Sequence, residues 1–450
     1  MAQLDEHIKL DKLTIAMFLN AYHPTVQSGA IQSTKDFASA LRAKGHEVYI
    51  FTTGKNHYAD IGNDAQYIFR CPSIPVRQGF GPAMPEFFGM PLFGKRGNEI
   101  LKRCDILHCH QPYPISDYGM KIATQRKIPF VFTNHTQYHQ YAKAYFPFYN
   151  NFGKAYRKWA DKWIVRTAKR FADRCDLVLV PGKEIADVVV KQYGYKSRVE
   201  LCPNGIDYEL FSKGDAEKVF KKYEYFNLRQ KDILIYTGRL EKVKNLGDLL
   251  IAMSIISKKN PNAFLMLVGD GSRLATIKVP GKEGEKEKEE DIRLEDLARN
   301  LKISEKIIIT GLVPHAEMAD YCASDSMRPK IFGSTSRTEV DPLTSKEAMA
   351  AGCVPVTYDA PGFCDSIVNG KTGILTENTP EKLAEAVISL MSNKIQLSLL
   401  SKNAKNAAKA YSKETAVNNL LEFYKSAIET KKRESRKSTS CGGKWTLVKT

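Results

Sequence analysis

The 450-residue chain predicts an α/β protein built from two doubly wound, Rossmann-like domains. Three observations carry that expectation. The strand-like runs are apolar throughout, as they are when helices cover both faces of a parallel sheet. Strand and helix periods alternate along the chain. The alternation then starts afresh near Ile233, and a chain of this length accommodates two or three domains.

The first elements form a βαβ unit. Leu13–Leu19 is a continuous apolar strand. A turn with His23-Pro24 and Ser28-Gly29 follows, then Ile31, Phe37, Ala38 and Leu41 recur at helical spacing until Gly45. Val48–Phe51 is the next strand, and further strands are expected at Ile106–His110, Phe130–Thr133 and Leu177–Val180. In the second half, strands are expected at Ile233–Thr237, Phe264–Val268, Ile307–Thr310 and Val354–Tyr358, with a helix at Leu246–Ile256. Domain one is expected over 1–205 and domain two over 206–410, joined near Pro203–Phe211. One long helical stretch covers about Gln396–Thr430, its end (411–430) packing back on the first domain. The charged segment Gly281–Asp291 reads as a solvated loop, and 431–450 as a basic, disordered tail.

With 43% hydrophobic and 26% charged residues, the composition is that of a soluble protein. No run approaches the ~18 apolar residues of a spanning helix. Met1–Lys12 lacks the apolar stretch of a secretory signal, which points to the cytoplasm. The nine scattered cysteines show no metal-type pairing and read as buried, reduced thiols. A net charge of +17 favours anionic partners without choosing among nucleic acid, anionic lipid and phosphorylated ligands.

The most specific signal lies in Ser334-Thr-Ser-Arg-Thr-Glu339 and Glu347-Ala-Met-Ala-Ala-Gly352. Glu347 is read as opening a short helix that Gly352 stops. A carboxylate there can accept two hydrogen bonds from a ribose diol, and the amides at the helix start can hold a diphosphate. Glu339 can accept from sugar hydroxyls. Spacing alone fits equally well two surface carboxylates favoured by the helix dipole.

Thr237-Gly238-Arg239 with Lys244 follows a strand, at the edge where doubly wound sheets bind ligands. Two cations there can clamp a diphosphate leaving group as charge builds on it; a solvated basic loop is the plain alternative. Gly269-Asp-Gly271 is a weak glycine turn, and neither G-x-G-x-x-G nor G-x-x-x-x-G-K-[ST] occurs where expected. In the first domain Gly29 lies between strand and helix, and His135 follows Phe130–Thr133. His135 can donate to a sugar hydroxyl or simply satisfy a strand end; His108 and His110 are similar candidates.

Taken in order, Tyr22-His-Pro24 to Gly29, Gly45-His-Glu-Val48, Asp105-Ile-Leu-His108, Thr133-Asn-His-Thr136, Pro203-Asn-Gly-Ile-Asp207, Tyr236-Thr-Gly-Arg-Leu240 with Lys244, and the Glu339/Glu347 pair resemble the GT-B glycosyltransferases of family 4 over essentially their whole length. Met17-Phe18 through Thr52-Thr53 and His135-Thr-Gln-Tyr138 with Tyr141 look like the branch that glycosylates diacylglycerol.

The resemblance implies two domains facing each other across a cleft. It also implies retention of anomeric configuration and a nucleotide-diphosphate sugar as co-substrate, UDP-glucose foremost. His135, Glu339, Arg239 and Lys244 would be catalytic. Gly29, Gly238, Arg239, Lys244, Gly269, Leu343 and Glu347 would hold the nucleotide sugar. No metal or further cofactor would be required, since the two cations can do the electrostatic work.

One departure stands out. Pro342 occupies a position where the family usually has glycine, which removes a backbone donor. Asp341 is an unusual neighbour for an anionic ligand, and Ser326–Gly333 replaces a smooth apolar strand.

Two stretches bear on the acceptor. Gly79–Phe93 displays several Phe and Met residues, and Tyr141–Phe171 interleaves aromatics, Trp159 and Trp163 among them, with Lys158, Lys162 and Arg166. A basic helix with aromatics beside it suits an anionic membrane surface; a core helix with solvated cations is the alternative. The expected protein is therefore a peripheral enzyme on the cytoplasmic face of a membrane, with a lipid acceptor. The alternatives are the same chemistry on phosphatidylinositol or a soluble acceptor with a GDP-mannose-type donor, or a catalytically impaired nucleotide-sugar binder. No nucleic-acid recognition module is found, so no nucleic acid partner is expected.

Overall fold

The computed structural model describes residues 12–20, 22, 29–54, 62–71, 92–112, 115–139, 153–279, 288–324 and 328–440. The chain divides into two compact units, Met1–Pro203 with Glu414–Thr450, and Asn204–Lys413.

The first unit is built on seven strands: β1 (Thr14–Leu19), β2 (Glu47–Thr53), β3 (Ile68–Cys71), β4 (Ile106–Cys109), β5 (Phe130–Thr133), β6 (Leu177–Val180) and β7 (Val199–Leu201). All pair in parallel, in the order β3-β2-β1-β4-β5-β6-β7. Strand order reverses between β1 and β4, and such a switch point opens a crevice outside the carboxyl ends of the strands. The helix Gly29–Ala43 buries Ile31, Thr34, Phe37, Ala38 and Leu41 at helical spacing. Gly45 ends it with φ +92°, so that the His46 amide reaches back to the Leu41 carbonyl at 3.2 Å.

The helix Lys413–Ser440 belongs to this unit. Ala416, Val417, Leu420, Leu421, Tyr424 and Ala427 form one apolar stripe, buried in the same core cluster as Ile15, Ile31, Phe37 and Ile106. The expected single helix over Gln396–Thr430 is two helices, Lys394–Ala408 and Lys413–Ser440. The break arises because Ile206 pins the intervening chain: its amide donates to the Tyr411 carbonyl at 2.8 Å, and its carbonyl accepts from the Lys413 amide at 2.9 Å. The tail expected to be disordered from Lys431 instead stays helical to Ser440. Its Lys, Arg and Glu residues are good helix formers, and no Gly or Pro occurs between Lys431 and Cys441. Residues 441–450 lie outside the described residues.

The second unit carries β8 (Asp232–Thr237), β9 (Ala263–Val268), β10 (Leu274–Val279), β11 (Lys288–Arg293), β12 (Ile307–Ile309), β13 (Ile331–Ser334), β14 (Val354–Tyr358) and β15 (Ile374–Thr376). Six form a parallel sheet in the order β12-β9-β8-β13-β14-β15, with its switch point between β8 and β13. β10 and β11 make a separate antiparallel ribbon. The end of the charged segment read as a solvated loop is therefore strand. Ala275 is buried, and Ile277 and Ile292 pack on the core, so alternate residues of the ribbon have an apolar face to bury. Residues 280–287 lie outside the described residues. β13, which begins within the stretch Ser326–Gly333, is short, and its partner β8 meets it only at Ile331 and Phe332.

Of the eight cysteines among the described residues seven are buried; Cys364 is exposed, contrary to the expectation of uniformly buried thiols. Of the aromatic loop Gly79–Phe93, residues 79–91 lie outside the described residues. Phe93 is buried rather than displayed, edge-on to Phe51 at 4.9 Å.

Candidate active site

In the second unit, the turns after β8 and β9 meet back to back. Gly238 and Gly269 have φ of +142° and +145°, and a Cβ on Gly269 would come within 1.9 Å of the Gly238 carbonyl oxygen. Only glycine fits there, and the resulting turn sends residues 239–245 over the carboxyl edge of the sheet. The segment is closed by Asn245, whose side-chain amide donates to the Thr335 carbonyl at 3.2 Å while Thr335 Oγ1 donates to the Asn245 carbonyl at 2.8 Å. The chain leaving β8 is thus tied to the chain leaving β13, across the switch point.

That tie places Lys244 Nζ 2.6 Å from Glu339 Oε1, both side chains being largely shielded from solvent. Glu339 is braced from behind by the turn after β14, where its amide donates to the Pro361 carbonyl at 3.2 Å. Arg239 is exposed and, among the described residues, its guanidinium has no ion-pair partner. The buried Tyr236 hydroxyl donates to the Arg239 carbonyl at 3.1 Å. Burial raises the Tyr236 pKa, Glu339 adds to the rise and Arg239 opposes it, so one phenol lies within electrostatic reach of both.

Asp341 does not confront a ligand as a bare charge. It is buried, pairs with the equally buried Lys346, and accepts from the Asn204 amide at 3.2 Å and the Asn204 side chain at 2.8 Å. Lys346 also lies over the Tyr411 ring at 4.5 Å. The pair anchors the loop carrying Glu339 to both ends of the unit. Pro342 caps the helix Leu343–Ala350, its carbonyl accepting from Ser345 Oγ at 2.8 Å. The helix therefore begins at Leu343, and Glu347 lies within it rather than opening it: the fixed φ of proline sets the start four residues earlier. The Leu343 amide is a helix-start donor of the kind that binds anions.

The Glu347 carboxylate is 7% exposed, and its Oε1 accepts from His315 Nε2 at 3.0 Å. His315 starts the helix His315–Cys322, four residues beyond the left-handed Gly311 that follows β12, and packs edge-on to Phe211. No motif flagged His315. Its place just past the end of a parallel strand was the available signal, since those ends face the ligand edge.

In the first unit, Gly29 stands at a helix start, where among the described residues no atom lies within 4 Å of the place a Cβ would take. The register His108↔Val131 and Cys109↔Phe132 brings the ends of β4 and β5 side by side. There His110 Nδ1 lies 3.1 Å from His135 Nε2. His108 is hydrogen-bonded to Tyr424 Oη and Thr133 Oγ1, both at 2.7 Å, and burial depresses its pKa to about 3, with His135 adding to the shift. His108 is thus a neutral, structural imidazole. Motif residues 23–28 and Tyr141 lie outside the described residues.

Two doubly wound parallel domains, the second with a cation–carboxylate pair at its switch point, define a class of protein that binds at its strand ends. Sequence models of two families match this chain: Glycosyltransferase Family 4 over residues 28–210, and Glycosyl transferases group 1 over residues 220–409. The alpha-monoglucosyldiacylglycerol synthase of Acholeplasma laidlawii is 28% identical over 436 residues, covering 94% of this chain and all of the relative. The enzyme of the same name from Streptococcus pneumoniae is 27% identical over 367 residues, covering 80% of this chain and 74% of the relative. Among solved structures, Anabaena HepE in complex with UDP-glucose superposes with a TM-score of 0.66 at 16% identity, over 92% of this chain and 100% of that one. In sequence the chain thus carries a Glycosyltransferase Family 4 domain followed by a Glycosyl transferases group 1 domain, on the GT-B fold of its structural neighbours.

Proposed function

We propose that this protein transfers glucose from UDP-glucose to a diacylglycerol-type acceptor, with retention of configuration, at an anionic membrane surface on its cytoplasmic side. The observation that carries the donor half is the Lys244–Glu339 pair at 2.6 Å on the switch point of the second unit. A sugar diphosphate would take over the cations: Lys244 and Arg239 neutralise the charge that grows on the leaving phosphate, and Glu339, released from Lys244, accepts from the sugar hydroxyls. Glu347, steadied by His315, accepts from the ribose diol, and the amides at Leu343 and around Gly238, Gly269 and Gly29 approach the donor closely. In the retaining path the departing phosphate takes the acceptor's proton on the face it leaves, so no carboxylate nucleophile is needed. His135 donates to a hydroxyl of the reacting sugar.

The lipid half is supported by the near full-length likeness to two monoglucosyldiacylglycerol synthases. The helix Lys154–Ala172 supports it independently. It buries Ala160, Ile164, Ala168 and Phe171, and leaves Trp159 and Trp163 53% and 46% exposed beside the exposed Lys158, Lys162 and Arg166. Each basic residue near an anionic surface contributes about 1 kcal/mol, so several give reversible attachment. No helix among the described residues is long and apolar enough to cross a membrane.

The test is turnover of UDP-glucose with diacylglycerol vesicles, with and without anionic lipid, alongside protection from thermal unfolding by a series of nucleotide sugars. Glucolipid product, and protection by UDP-glucose that Glu347→Ala weakens about 10- to 100-fold, are expected. Unchanged donor affinity in Glu347→Ala would remove the ribose role, and equal, negligible sedimentation with both vesicle types would remove the membrane surface.

A further inference from the structure

The end of β4 holds a second imidazole against His135, and its surroundings dictate where the protons sit. His110 Nδ1 and His135 Nε2 are 3.1 Å apart, with the rings nearly parallel at 17° and the His108 ring 4.2 Å beyond His110. His110 is 1% exposed, and burial with two neighbouring imidazoles holds its pKa well below the usual value. It is therefore neutral and carries one N–H. Among the described residues, its Nε2 is buried without a hydrogen-bond partner.

A proton on Nε2 would be an orphaned buried donor. A proton on Nδ1 leaves only an unshared lone pair there, which costs less. The proton thus sits on Nδ1 and is donated to His135 Nε2. His135 Nε2 must then be bare, and the ring's own proton is on Nδ1. Protonating His135 on Nε2 as well would reverse the shared hydrogen bond and force the orphan donor onto His110.

We propose that His110 is a positioning residue that holds His135 as the neutral tautomer protonated on Nδ1, so that His135 offers an N–H donor from Nδ1 and no proton from Nε2. This rests on the reading of His135 as the group that meets the sugar, and it adds how that group is prepared: it donates a hydrogen bond from a fixed nitrogen and does not act as a general base there.

The experiment is long-range proton–nitrogen correlation on full-length protein labelled with ¹⁵N-histidine at neutral pH, with the His135 signals assigned through His135→Gln. A bare Nε2 and protonated Nδ1 are expected; a protonated Nε2, alone or with Nδ1, overturns the proposal. His110→Leu should release His135 to a mixture of tautomers and lower kcat about 10- to 100-fold with little change in KM for UDP-glucose. His110→Asn, whose amide donor replaces Nδ1–H, should restore the spectrum and most of the rate. An unchanged His135 spectrum in His110→Leu overturns the proposal; should that variant fail to fold, the wild-type and His110→Asn spectra decide the matter. Turnover by His135→Ala tests the functional reading separately: an undiminished rate removes the catalytic role, whereas the wild-type spectrum alone decides the tautomer.

Discussion

The carboxyl ends of β4 and β5 in the first unit and of β8 and β13 in the second lie at or beside switch points of two parallel sheets, yet they carry opposite chemistry. The first gathers imidazoles that burial keeps neutral: His108 is hydrogen-bonded on both ring nitrogens, and His110 is turned toward His135. The second gathers full charges, Lys244 with Glu339 and Lys346 with Asp341. Parallel topology supplies the same crevice in both cases. What differs is how polar groups leaving the strands are satisfied: by neutral hydrogen bonds in one, by ion pairs in the other. A neutral edge can orient hydroxyls, and a charged edge can receive a leaving group that gains charge.

The sharpest way to break this contrast is Asp341→Ala. It strands Lys346 as a buried, unpaired cation, which should cost about 3–5 kcal/mol of stability. Urea denaturation of the variant measures it, and a loss below about 1 kcal/mol would mean that the pair behaves like a surface contact. Next comes Lys244→Ala. If the charged edge stabilises the leaving group, kcat should fall about 100- to 1,000-fold, the scale of removing one preorganised donor to a developing charge. Steady-state kinetics with UDP-glucose gives the value, and wild-type kcat would leave Lys244 as nothing more than the partner of Glu339.

The neutral edge predicts smaller effects. Tyr424→Phe removes one hydrogen bond from His108 and should cost about 1 kcal/mol by the same denaturation assay, with turnover retained. His108 also sets an acid limb. Folded, it titrates near 3, whereas unfolded it does so near 6.5. Between those values the unfolded chain binds the extra proton, so stability falls as pH drops through that window and is unaffected above it. Comparing unfolding midpoints of wild type and His108→Asn from pH 7 to 4 should show a flatter decline in the variant; parallel declines would place the acid sensitivity elsewhere.

Much of the fold was legible in residue order. Ile15–Leu19, Leu177–Val180 and Leu265–Val268 are apolar without interruption, and both faces of those strands are indeed covered. The errors fell where burial depends on partners distant in the chain. Gly281–Asp291 looked like a charged loop, yet its end joins the strand Lys288–Arg293, whose Ile292 packs on the core once it pairs with Leu274–Val279. The break at 409–412 cannot be read locally, because Ile206 makes it. At the site, Glu339, Lys244 and Glu347 stood out by motif, whereas His315 did not, since its meaning comes from a carboxylate 32 residues away. Asp341 looked misplaced until Lys346 and Asn204 were seen to neutralise and hold it.

The sequence by itself determined the two-domain α/β plan, the strand-end glycines and the identity of the charged motif, because hydrophobic period and backbone permissiveness are properties of neighbouring residues. Only the tertiary structure decided which ionisable groups are neutral, which are paired and which nitrogen faces which. Those outcomes depend on desolvation and on contacts as distant as His108 and Tyr424, 316 residues apart, and such contacts exist only once the sheets and the returning helix have packed.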